Sequence, residues 1–76
     1  MNEFNVTFKT LDDVADFVTK VEKYPFHMDL SIGSVVIDAK SLMGIMNLGL
    51  NQVISMKVYA DEWPELHQEI EKYIAA

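Results

Sequence analysis

The sequence predicts an α+β fold: a two-layer sandwich in which a four-stranded antiparallel sheet carries three helices on one face. Three observations lead there. Apolar and polar residues alternate in four short stretches, apolar residues recur at helical spacing in three others, and the order is strand, helix, strand, strand, helix, strand, helix. Half-polar strands and one-sided helices each need an apolar face covered. Placing every helix on one side of the sheet does this and leaves the other side to water.

Phe4, Val6 and Phe8 alternate with Asn5, Thr7 and Lys9, the pattern of a half-buried strand. Thr10 then suits a helix N-cap. Asp13, three places on, approximates a capping box, and Asp12 with Asp13 complements the positive end of the helix dipole. Leu11, Val14, Phe17, Val18 and Val21 give this helix one apolar face, and Pro25 stops it. Phe26, Met28, Leu30 and Ile32 form the second strand. Gly33-Ser34 suits a type II′ hairpin, and Val35, Val36 and Ile37 form a short third strand ending at Asp38.

Ser41 is suited to cap a second helix that Gly49 ends, too short to be stable without docking. Ile54, Met56 and Val58 alternate with Ser55, Lys57 and Tyr59 as a fourth strand. Asp61 is expected to cap the last helix, with Pro64 in its first turn and Trp63, Leu66, Ile70, Tyr73 and Ile74 on its apolar face. Thr7, Lys9, His27, Asp29 and Lys57 fall on the wet side of the sheet.

Seventy-six residues make one domain, 1–76, near the small end of what folds alone. With no cysteine the fold rests on packing, without disulfides or thiolate metal sites. A net charge of −6 argues against nucleic acid, whose phosphates need clustered Lys and Arg. No apolar run reaches membrane-spanning length, and Met1-Asn2-Glu3 lacks a signal peptide's basic start, so a cytoplasmic protein without a membrane role is expected.

The second helix raises the functional question. Ile45 and Leu48, three apart, can face a core, with Leu50 as anchor beyond the stop. Leu42, Met43 and Met46 are then left either to complete the core or to form a docking patch. Elsewhere the signals have plain readings. Asp12 and Asp13 lie about 100° apart around a helix, poor geometry for a carboxylate dyad. His27 and Asp29 share a strand face but want further ligands before a metal could bind. His67 reads as a surface histidine, Trp63 as a core anchor, and Glu62, Glu65, Glu69 and Glu71 as a solvated face. No metal, cofactor or catalytic group is indicated.

The run from Val36 to Leu50, with Lys40-Ser41, Met43-Gly44-Ile45-Met46 and Leu48-Gly49, resembles the middle of HPr, the histidine-containing phosphocarrier of the bacterial sugar phosphotransferase system. The likeness extends more weakly over Phe17–Ala60, and the element order matches that family's open-faced β-sandwich. In the family a histidine at the N-cap of the first helix accepts phosphate, flanked by an arginine and followed by a proline. Here Thr10 stands where the histidine should be and Asp12 roughly where the arginine should be. The resemblance therefore implies a member without histidine phosphotransfer.

It also implies that Ser41 matches a serine phosphorylated in Gram-positive members, and that Leu42, Met43 and Met46 match the helix that docks partner proteins. Related regulators, the catabolite-repression HPr-like proteins, lack the histidine and keep the serine. The expected function is thus a regulatory or partner-docking protein. The alternatives are a phosphocarrier using a non-standard residue, and a small ligand-binding or structural homodimer paired through a sheet edge.

Overall fold

The computed structural model describes residues 2–75. In chain order the elements are β1 (Asn2–Val6), α1 (Leu11–Val21), β2 (Met28–Ile32), β3 (Val35–Asp38), α2 (Leu42–Leu48), β4 (Ile54–Val58), α3 (Pro64–Ile70), a 3₁₀ turn (Glu71–Tyr73) and β5 (Ile74–Ala75). The sheet has five strands in the order β3-β2-β4-β1-β5, and each described pairing is antiparallel.

The fifth strand corrects the four-stranded expectation. The last helix ends at Ile70. Tyr73 and Ile74 keep helical spacing in the sequence, but the chain turns once more and pairs Ile74 with Val6 and Ala75 with Asn5. The amide of Thr7 donates to the Tyr73 carbonyl at 2.9 Å, so the edge of β1 captures the segment. Asp61 does not cap α3 either. Trp63 holds the N-cap position without a side-chain bond, because Pro64, with fixed φ and no N–H, starts the helix.

The other starts follow their sequence chemistry. The Thr10 hydroxyl accepts from the Asp13 amide at 3.1 Å, while the Asp13 carboxylate accepts from the Lys9 amide at 3.1 Å. Val14, Phe17 and Val21 of α1 are buried, whereas Leu11, the first helical residue, is exposed contrary to its expected place on the apolar face. Ile32 pairs with Val35 across a two-residue turn in which Gly33 has φ +58° and Ser34 does not have positive φ, as a type II′ turn requires.

One contiguous core results, including Val6, Phe8, Phe17, Leu30, Met56 and Ile70. Its aromatic centre is Phe8 set edge-on to Phe17, with ring centroids 4.8 Å apart, and Tyr73 tilted 5.6 Å from Phe8. On the opposite face of the sheet Lys57 pairs in register with Glu3 on one side and Asp29 on the other. Thr7 and Lys9, expected on that face, lie past the end of β1.

Candidate functional site

The loop before α2 is tied at several points. The Lys40 amide donates to Asp38 Oδ1 at 2.8 Å and the Ser41 amide to the Asp38 carbonyl at 3.0 Å. These bonds hold Ser41 in extended geometry, φ −98° and ψ 105°, where its Oγ accepts from the Gly44 amide at 3.1 Å. Gly44 is small for a reason: a Cβ there would lie 3.1 Å from both Ile37 Cδ1 and Ser41 Oγ.

α2 is then fixed by one side only. Ile45 is buried, and Leu48 and Leu50 pack partly against the core. The outward side chains are Leu42, Met43 and Met46, which expose 42%, 77% and 46% of their surface. With the buried positions already filled, these three leave an apolar patch on a short helix, beside the half-exposed Ser41.

The end of α2 returns towards the start of α1. Gly49 has φ +95°, Asn51 follows in the left-handed region at φ 59°, and the Asn51 amide donates to the Phe8 carbonyl at 2.7 Å. Phe8 lies two residues before Thr10, so the bond ties the C-terminal end of α2 to the segment that leads into α1. At α1 the side chains are a hydroxyl, Thr10, and two carboxylates, Asp12 and Asp13. That set offers an anion a dipole end but no side-chain cation, and two negative charges oppose it.

The histidines are placed elsewhere. His27 Nε2 lies 2.6 Å from Asp29 Oδ1 on the open face, where the Tyr59 hydroxyl donates to Asp29 Oδ2 at 3.0 Å. The His27 and Tyr59 rings are 5.1 Å apart, and Asp29 raises the Tyr59 pKa by accepting its proton in a hydrogen bond. The His27–Asp29 pairing follows from strand alternation; Tyr59 joins through β4 and is invisible to that argument. His67 is exposed on α3 with its ring 5.4 Å from Trp63. Trp63 itself is only half-buried, stacked on Phe4. Among the described residues no group of three or more His, Cys, Asp or Glu is arranged to hold a metal ion.

No family model matches the sequence, and no curated protein matches it. Solved structures do. An HPr from Thermoanaerobacter tengcongensis superposes with a TM-score of 0.76 at 25% identity, over 95% of this chain and 89% of that chain. The phosphocarrier protein HPr of Bacillus anthracis str. Ames gives 0.73 at 20% identity, over 97% and 96%. A histidine-containing phosphocarrier protein of Mycoplasma gives 0.72 at 12% identity, over 93% and 89%. A five-stranded antiparallel sheet, three helices and these three superpositions give the chain an HPr-like fold.

Proposed function

We propose that this chain is a regulatory or partner-docking relative of the phosphotransferase-system carriers, acting through α2 and without histidine phosphotransfer. The observation that supports it is the exposed triplet Leu42, Met43 and Met46 on a helix already anchored by Ile45. Thioether side chains adapt to differently shaped partners, which suits a docking surface. The structural neighbours are named as phosphocarriers, and the partners proposed from that likeness are other phosphotransferase-system or regulatory proteins. The reading is of a cytoplasmic, non-enzymatic protein; none of its described helices is long and apolar enough to cross a membrane.

Ser41 is the candidate switch. Its hydroxyl is half-exposed and already lies at the helix start. A kinase would transfer the γ-phosphoryl group of ATP to Oγ, breaking the β–γ bridge and releasing ADP and the hydroxyl proton. The added dianion would sit favourably beside the first-turn amides of α2 and next to the apolar triplet, changing which partners that surface accepts.

Incubation with a bacterial HPr kinase and ATP, followed by intact mass, tests the switch. One phosphoryl addition is expected in the wild type and none in Ser41→Ala; an unchanged wild type removes phosphoregulation. Incubation with phosphoenolpyruvate and the general phosphotransferase enzyme tests the other half. Transfer onto any residue would favour a phosphocarrier instead. The homodimer reading draws on the edge strand β3, where Val35 and Val36 are exposed, and light scattering measures it directly.

A further inference from the structure

A second feature lies away from α2. Tyr24 and Phe26, in the segment between α1 and β2, face the start of α3 across a pocket of about 190 Å³, lined also by Trp63, Glu62 and Glu65. This is smaller than the roughly 300–1,000 Å³ of pockets for drug-sized ligands, so it fits one headgroup rather than an extended molecule.

The walls are held in place. The Tyr24 and Phe26 rings are 5.6 Å apart and inclined at 42°, and Trp63 is stacked on Phe4 at 5.0 Å. The Tyr24 hydroxyl donates to Glu69, and Lys40 Nζ donates to the carbonyls of Tyr24 and Phe26 at 2.6 and 3.1 Å. The hollow therefore needs no rearrangement of its backbone before a ligand enters.

We propose that this pocket binds a quaternary or alkylated ammonium group, with Tyr24, Phe26 and Trp63 giving cation–π contacts and Glu62 and Glu65 the countercharge. Three aromatic rings attract a bulky, weakly hydrated cation, which costs less to desolvate than a primary ammonium. An anion would meet two carboxylates, and a neutral apolar group would leave their field unused. The positive end of α3 opposes a cation with roughly half a charge, against two full negative charges from the glutamates. The neighbouring cations are already engaged: Lys40 on the two carbonyls, and Lys23 paired with Glu69 at 2.5 Å.

Trp63 is the chain's single tryptophan and reports on the pocket directly. The full chain is titrated with choline chloride, with sodium chloride at equal ionic strength, and with 3,3-dimethyl-1-butanol, the neutral carbon isostere of choline. A saturable change in Trp63 fluorescence is expected with choline alone. Phe26→Leu should weaken it by about threefold or more through the lost ring. Glu65→Gln, an exposed change that leaves the fold intact, should weaken it by about threefold through the lost charge. A non-saturating response, an equal response to the neutral alcohol, or unchanged choline binding in Glu65→Gln overturns the proposal. None of these outcomes depends on whether α2 docks a partner.

Discussion

Ser41 satisfies one of the amides that a helix start leaves unpaired, by accepting from Gly44, and α2 has only seven residues over which to spread the loss of that bond. Ser41→Ala should destabilise the protein by about 0.5–2 kcal/mol in urea unfolding. Ser41→Asp keeps an acceptor at the cap and should stay within about 0.5 kcal/mol of wild type. Equal losses in the two variants would mean that the hydroxyl contributes something other than capping. Gly33 poses the complementary case, since its side chain would meet nothing within 4 Å and only its φ of +58° forbids one. Gly33→Ala should therefore cost about 1–2 kcal/mol, a conformational penalty with no clash behind it.

At the scale of elements, what local chemistry decides was legible and what distant pairing decides was not. The Thr10 and Ser41 caps, the Gly33-Ser34 turn and the alternation of β2 and β4 each need only a few neighbouring residues. The end of α3 needs β1: nothing local distinguishes Tyr73 and Ile74 on a helix from the same residues captured by Thr7 and Val6. The α2 triplet could be named from spacing, but its exposure depended on Ile45 filling the core beneath it. Tyr24, Phe26 and Trp63 come together from segments nearly forty residues apart, beyond reach of any periodicity. One ion-paired contact carries the junction of α1 with the last turn. The Tyr73 hydroxyl donates to Asp16 Oδ2 at 2.5 Å, and Lys20 Nζ lies 3.0 Å from the same oxygen. The Tyr73 bond first, and Lys20 second, hold the Asp16 pKa at about 2, below its ordinary 3.8. The folded state thus favours the carboxylate, so this contribution is complete above pH 4 and is lost as pH falls towards 2. The stability gap between wild type and Asp16→Asn should shrink over that window, measured as urea midpoints at pH 6, 4 and 3. A gap independent of pH would assign the effect to the hydrogen bond alone.

For the whole molecule, the question is which apolar side chains the fold uses. A domain of this size holds a total stability of only about 5–15 kcal/mol, so a single core truncation is a large fraction of it. Leu30 is fully buried in the middle of β2, opposite Ile37 on one side and Met56 on the other. Leu30→Ala should cost about 2–5 kcal/mol and lower Tm by on the order of 10 °C or more. Met43, with 77% of its surface exposed, removes little apolar area from water, and alanine is the better helix former. Met43→Ala should stay within about 0.5 kcal/mol of wild type, or gain slightly. Thermal unfolding of the two variants side by side separates the possibilities. If Met43→Ala lost as much as Leu30→Ala, the thioether would belong to the core and α2 would have no free face to offer. If only Leu30→Ala falls, the fold stands without the Met43 thioether, the result the proposed docking role of that side chain requires.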